Sequence, residues 1–188
     1  MTDSPPAFET LQYESPADGV ALVRLNRPER LNAITWQMVD ELHELLTWLE
    51  GPNHTARVLV LTGAGKAFSS GTDLKSGVKS DGSQFGESIP GDLRLQRRIA
   101  DLVARLRRIP QPVIAAVPGV AAGGGFSIAL AADVRLAAPD ARFIASYINI
   151  GLSACEMGSS YFLPRLVGVS RASEILLTGR TVSGEEDA

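Results

Sequence analysis

An α/β fold of parallel strands joined by crossover helices is the class this sequence predicts, and three observations predict it. Short apolar runs alternate along the chain with segments of helical periodicity, the pattern of β-units whose strands run parallel. Two of those runs, 58–61 and 113–117, lead directly into glycine-rich stretches. The chain has 188 residues, 45% hydrophobic and 21% charged, which suits one domain with length enough for a real core.

Taken in order, residues 1–9 are polar, contain Pro5 and Pro6, and read as a loose terminus. Residues 20–25 read as a strand. Pro28 fixes its own dihedral and restricts Arg27, which marks 26–30 as a turn. From 36 to 49, Met38, Val39, Leu42, Leu45, Leu46 and Leu49 recur at helical spacing, with Thr35 as the N-cap. His43 stands at the edge of that apolar face, where a packing or surface role is expected. His54 sits in a polar loop.

Residues 58–61 read as a buried strand entering a glycine-rich loop that runs to Leu74. Residues 76–92, rich in Gly, Ser and Asp, read as a long loop of the lid type. Leu95, Ile99, Leu102, Val103 and Leu106 mark an amphipathic helix that ends before Pro110. Arg97, Arg98, Arg105, Arg107 and Arg108 read as its solvated face. The run 113–117 is a buried strand. Phe126, Ile128, Ala129 and Leu130 read as a buried helix, with Gly123, Gly124 and Gly125 at the junction. Ser183-Gly184-Glu185-Glu186 is a capping-box signature, which announces a further helix. No internal repeat is evident.

The net charge of −3 gives no footing for nucleic acid or an anionic membrane. A single cysteine, Cys155, excludes an internal disulfide and suits a reducing compartment. The first residues lack the basic-then-apolar signal pattern, and no apolar run approaches the length of a membrane span. The chain reads as cytoplasmic.

Chemistry is concentrated at the two glycine-rich stretches. At 113–131 a strand, a glycine turn and a helix start follow one another. Glycine lets a ligand approach the backbone, and the first amides of a helix lack internal acceptors and sit at its positive end. Such a junction suits an oxyanion. The alternative is a tight turn packed beneath a neighbouring element.

Four blocks together resemble the crotonase superfamily, the enoyl-CoA hydratase/isomerase group. They are Leu25-Asn26-Arg27-Pro28-Glu29-Arg30-Leu31-Asn32-Ala33, the loop Ala67-Phe68-Ser69-Ser70-Gly71-Thr72-Asp73-Leu74, the triple glycine, and Ala132-Asp133-Val134-Arg135 followed by Ala141-Arg142-Phe143. The resemblance runs from Val20 to about Arg180. It implies a spiral of ββα units, with the C-terminal helical segment of the family missing from this chain. It implies an acyl-CoA thioester as substrate, coenzyme A being part of that substrate and not a separate cofactor, and a homotrimer or hexamer for the full-length protein. Metal has no place in the expectation.

By the same resemblance, the backbone amides of Ser70 and Gly124 hold the thioester oxygen. Coenzyme A lies along Arg30, Leu31, Ala33, Ala67, Ser69, Ser70, Gly71, Thr72 and Asp73. Arg30 is the residue placed to reach a phosphate, with Lys66 a weaker candidate. Asp73 is expected to bond backbone amides and hold its loop.

The sequence departs from the family at the chemistry. The two glutamates that family hydratases use to activate water are Ser127 and Tyr147 here. Neither a serine nor a phenol with a pKa near 10 is an obvious general base at neutral pH. One acid remains: Glu156, in Gly151-Leu152-Ser153-Ala154-Cys155-Glu156-Met157-Gly158, matches the aspartate of dienoyl-CoA isomerases if one residue is inserted ahead of it. A double-bond isomerase or related enzyme that moves a proton through Glu156 is the favoured reading. The alternatives are a non-catalytic acyl-CoA binding protein and a hydratase with non-standard acid and base groups. The adjacent Cys155 is expected to be inert.

Overall fold

The computed structural model describes residues 5–52, 55–73, 89–155 and 157–186. In chain order its elements are β1 (Leu11–Glu14), β2 (Val20–Leu25), α1 (Trp36–Glu50), β3 (Val58–Gly63), β4 (Ala67–Ser69), α2 (Ile89–Leu106) and β5 (Val113–Val117). There follow β6 (Val120–Ala122), α3 (Gly124–Ala131), β7 (Val134–Ala137), β8 (Arg142–Ile144), α4 (Ser159–Val167), α5 (Val169–Thr178) and β9 (Thr181–Ser183).

Two sheets run side by side. One has the order β1-β2-β3-β5-β7 and the other β4-β6-β8-β9. The inner pairings are parallel, and the antiparallel strands β1 and β9 each close one edge. The spiral is visible in the connectivity. β3 and β4, then β5 and β6, then β7 and β8 each place their first strand in one sheet and their second in the other. A helix follows each pair: α2, α3 and α4. This repeat is invisible as residue identity because what recurs is an apolar run, a turn and a second short strand.

Inward positions explain the elements. α1 buries Met38, Val39, Leu42, Leu45, Leu46 and Leu49, each worth about 1.5–3 kcal/mol when fully withdrawn from water. The Thr35 side chain accepts the Met38 N–H at 3.2 Å, as expected of the N-cap. α3 is buried along its whole length, so it lacks the polar face of a surface helix. It packs against β4 and β6 of the four-stranded sheet and against α2 and α4.

The structure also corrects the sequence reading. Residues 9 and 10 are not loose. The buried Glu41 carboxylate accepts the Glu9 N–H at 3.1 Å, the Thr10 N–H at 2.9 Å and the Thr10 hydroxyl at 2.6 Å. Arg105 is not a solvated residue: it donates to His43 O, Thr47 Oγ1 and Glu50 Oε2 and clamps α2 onto α1. His43 is buried, with Nε2 2.9 Å from Arg98 O and Nδ1 3.1 Å from Arg105 Nη1. Residues 89–92, expected in the long loop, belong to α2, and the rest of that loop lies outside the described residues. In the capping-box segment, the Ser183 hydroxyl accepts the Glu186 N–H at 3.2 Å, but residues 184–186 form a turn after β9. Among the described residues, no helix is long and apolar enough to cross a membrane.

Candidate oxyanion site

The first glycine-rich loop is held by residues far from it in sequence. After the 3₁₀ turn Pro28–Arg30, Leu31 and Asn32 both adopt left-handed backbone, with φ of +50° and +54°. That conformation costs roughly 1–2 kcal/mol for most residues, and asparagine bears it better than leucine. Asn32 is fully buried. Its Nδ2 donates to Ala64 O at 2.9 Å and Ala67 O at 2.8 Å, and its Oδ1 accepts the Arg27 N–H at 2.9 Å. It staples the 27–32 turn to the 64–67 loop. The sequence reading passed over Asn32, two of whose partners, Ala64 and Ala67, lie more than thirty residues away.

The amides of this loop can be taken one at a time. Ser70 N–H donates to Leu31 O at 2.9 Å, so the donor expected from the resemblance is spent inside the fold. Gly71 N–H donates to Ser69 Oγ at 3.1 Å, while Ser69 Oγ donates to Asn32 O at 2.8 Å. Asp73 N–H donates to Ile34 O at 2.9 Å, and Gly71 O accepts the Ile34 N–H at 2.8 Å. These last two bonds are the parallel bridge between Ile34 and Thr72. Such a bridge engages the residues on either side of Thr72 and turns its own N–H to the opposite side. Thr72 N–H has no acceptor among the described residues.

The opposite side is the second glycine turn. Gly124 opens α3, so its N–H has no acceptor within the helix, and none outside it among the described residues. The two turns are in contact. A Cβ added at Gly71 would lie 3.3 Å from Gly124 N and 2.8 Å from Ala122 O, and one added at Gly124 would lie 3.5 Å from Thr72 Oγ1. Gly123 has φ +48° and ψ −122°, a region open in practice to glycine alone. Ile34, Thr72 and Met157 line a small apolar recess beside these amides. Two neighbouring N–H groups without acceptors among the described residues, beside an apolar wall, are of the kind that can bind a developing oxyanion.

Behind the glycine turn lies a buried cluster of hydroxyls. Ser127 Oγ is hydrogen-bonded to Tyr147 Oη and, at 2.8 Å, to Ser159 Oγ. Tyr147 Oη also lies 2.8 Å from Ser159 Oγ and donates to Gly123 O at 2.6 Å. The fold thus brings together the two positions at which the resemblance places hydratase glutamates. It adds Ser159, which the sequence reading did not single out.

The other expected residues fall as follows. Arg30 and Leu31 are exposed, and Ala33, Ala67, Ser69 and Gly71 are buried. Asp73 makes an ion pair with Arg27 at 3.0 Å, a partner not anticipated for it. Lys66 is exposed. Cys155 is exposed, and Ser160 Oγ lies 3.5 Å from its sulfur. Glu156, the acid singled out from the sequence, lies outside the described residues.

Comparison with known proteins gives the family. The enoyl-CoA hydratase/isomerase family description matches residues 15–188. A probable enoyl-CoA hydratase of Mycobacterium bovis is 49% identical over 174 residues, which are 92% of this chain and 60% of that protein. The 1,2-epoxyphenylacetyl-CoA isomerase of Escherichia coli K12 is 39% identical, over 89% of this chain and 62% of its own length. The crystal structure of a probable enoyl-CoA hydratase/isomerase from Mycobacterium abscessus superposes with a TM-score of 0.84 at 44% identity, covering 95% of this chain and 65% of that one. The chain therefore spans roughly three-fifths to two-thirds of the length of these relatives. Motifs, fold and sequence agree, and the chain belongs to the enoyl-CoA hydratase/isomerase, or crotonase, family.

Proposed function

We propose that the protein binds an acyl-CoA thioester and holds its carbonyl oxygen between the N–H groups of Thr72 and Gly124, stabilising the enolate. Thr72 takes the place first expected of Ser70. One observation carries this reading: along the loop the amides of Ser70, Gly71 and Asp73 are all bonded within the fold, and that of Thr72, a residue that lies beside Gly124, has no acceptor among the described residues. A preorganised donor of this kind is worth about 2.7–4 kcal/mol in the transition state of other enzymes.

The reaction we propose is a proton transfer between two carbons of the enolate, a double-bond isomerisation or a related step, with Glu156 as the base that takes and returns the proton. Hydration would require activation of a water, and Ser127 and Tyr147 supply no carboxylate for it. The relatives carry both names: the E. coli protein is an isomerase of an epoxide thioester, and the mycobacterial one carries a hydratase name. The second reading is acyl-CoA binding without turnover. It is favoured by the engagement of both the Ser127 and Tyr147 hydroxyls in hydrogen bonds with each other and with Ser159. Coenzyme A would follow the exposed Arg30–Leu31 edge, and the protein would work in the cytoplasm as a trimer or dimer of trimers, which sedimentation checks.

The test is a screen of enoyl- and dienoyl-CoAs with product identification, using the intact protein. Isomerised product is expected, with Glu156→Gln abolishing turnover and leaving affinity nearly unchanged. Rapid hydration of crotonyl-CoA contradicts the proposal, since each missing acid or base is worth about 100- to 10,000-fold. Tight binding with no product establishes the second reading.

A further inference from the structure

Resting on the oxyanion reading above, we propose that Tyr147 is a positioning residue that polarises the Gly124 N–H through the peptide group to which that N–H belongs. The carbonyl of Gly123 and the N–H of Gly124 are two ends of one peptide unit. The Tyr147 hydroxyl donates to that carbonyl at 2.6 Å. A hydrogen bond accepted at the oxygen of an amide draws electron density from its nitrogen and makes its N–H a stronger donor. The phenol acts from the buried side on a group that faces the pocket.

The cluster behind the phenol pushes in the same direction. Among the described residues, Ser127, Tyr147 and Ser159 carry three hydroxyl hydrogens and share four contacts. The carbonyl of Gly123 cannot donate, so the phenol hydrogen is committed to it. The two serine hydrogens remain for the three contacts among the hydroxyls, and they cannot both lie between the two serines. At least one serine therefore donates to the phenol oxygen, which strengthens the phenol as a donor in turn. The chain of donors runs from serine to phenol to peptide to thioester oxygen. Ser127 contributes a second time: its backbone N–H donates to Gly123 O at 3.0 Å. Both lone pairs of that carbonyl are then used, and the peptide plane is fixed. Ser127 and Ser159 are fully buried and Tyr147 nearly so, so water does not dilute the effect.

A tyrosine that merely fills its site makes the same contacts, so the test must read the state of the bound thioester. The probe is butyryl-CoA, a saturated thioester, isotope-labelled at its carbonyl and bound to the intact protein. Its carbonyl stretch is measured by difference infrared spectroscopy. In the wild type the band is expected to move down from its value in water. In Tyr147→Phe the downshift is expected to shrink by roughly a tenth to a third, the scale of cooperative strengthening per bond, with a dissociation constant changed less than about 3-fold. Fluorotyrosine at 147, a more acidic phenol of nearly the same shape, is expected to enlarge the downshift. A structural role alone does not move the band in opposite directions with donor strength.

Tyr147→Phe leaves Ser127 and Ser159 bonded to each other and leaves Gly123 O bonded to the Ser127 N–H, and takes the phenol acceptor from one buried serine hydrogen, a cost read in the melt. Should it nevertheless fail to fold, the double change Ser127→Ala with Ser159→Ala keeps the phenol, removes every serine hydroxyl that can donate to it, and is expected to give a smaller reduction of the same sign. A wild-type downshift in Tyr147→Phe, or the same direction of change in the Phe and fluorotyrosine proteins, overturns the role of Tyr147 and leaves the oxyanion site standing. Butyryl-CoA that binds with no downshift in the wild type, or that does not bind, overturns the oxyanion reading and this proposal with it.

Discussion

The two glycine-rich turns face each other across one site and are held by opposite means. The 69–73 loop is fixed by polar side chains: Asn32 and Ser69 thread it to the 27–32 turn through buried hydrogen bonds, and the Arg27–Asp73 pair closes its far end. The 123–125 turn is fixed by the absence of side chains. A Cβ at Gly125 would sit 2.6 Å from Ser69 Cβ and 2.7 Å from Ser69 O, and one at Gly123 would sit 3.1 Å from Ser146 Oγ. One loop is sensitive to polar deletions and the other to added methyl groups. Both devices leave one amide in each turn, Thr72 and Gly124, without an acceptor among the described residues.

That contrast sets the order of expected effects. Asn32→Ala should be the most damaging single change. It removes three hydrogen bonds made by a fully buried side chain and leaves at φ +54° a residue without the polar group that makes asparagine tolerant there. The expected cost is about 2–5 kcal/mol in a denaturant melt, with acyl-CoA binding lost alongside. Gly125→Ala comes next, at about 1–3 kcal/mol for overpacking, because its neighbour Ser69 is itself pinned by Asn32. Should Gly125→Ala melt like the wild type, the steric half of the comparison fails. Ser69→Ala removes the bonds to Asn32 O and from Gly71 N–H and should cost about 1–2 kcal/mol. It should weaken binding more than Gly125→Ala does relative to its effect on the melt, since it frees the loop amides directly.

The smallest effect lies away from both turns and serves as their control. His43 lies between Arg98 O and Arg105, and burial above all lowers its pKa below the ordinary histidine value of about 6.5. The unfolded chain therefore takes up the proton first as pH falls. Stability due to neutral His43 is fully present above pH 6.5 and is lost progressively below it, at no more than about 1.4 kcal/mol per pH unit. His43→Gln should flatten the melting profile between neutral pH and mild acid without altering acyl-CoA affinity.

Local signals were enough for most of the scaffold. The repeat of Met38, Val39, Leu42, Leu45, Leu46 and Leu49 gives α1 with its Thr35 cap, and the apolar runs before the glycines give β3 and β5. Non-local pairing was the obstacle elsewhere. Whether Ser70 or Thr72 offers its amide depends on the bridge to Ile34, nearly forty residues earlier, and no residue type distinguishes the two choices. Asn32 reads as an ordinary turn residue until Ala64 and Ala67 are placed against it. Arg105 reads as surface until α2 lies on α1. Ser159 becomes part of the site only because α4 returns beside α3. The departures at Ser127 and Tyr147 were visible in the sequence, but the hydrogen-bonded cluster that they form was not.

The central claim is that Thr72, and not Ser70, supplies the loop donor. Replacing single residues by their α-hydroxy acids turns an amide into an ester and deletes one N–H while keeping the side chain. With butyryl-CoA bound, the ester at 72 should remove a large part of the downshift of the thioester carbonyl band. On a substrate found by the screen it should lower turnover by about 100- to 1,000-fold. The ester at 70 should cost only the bond to Leu31 O, about 1 kcal/mol of stability, and leave the band in place. The reverse pattern, an unchanged band at 72 and a lost one at 70, contradicts the account.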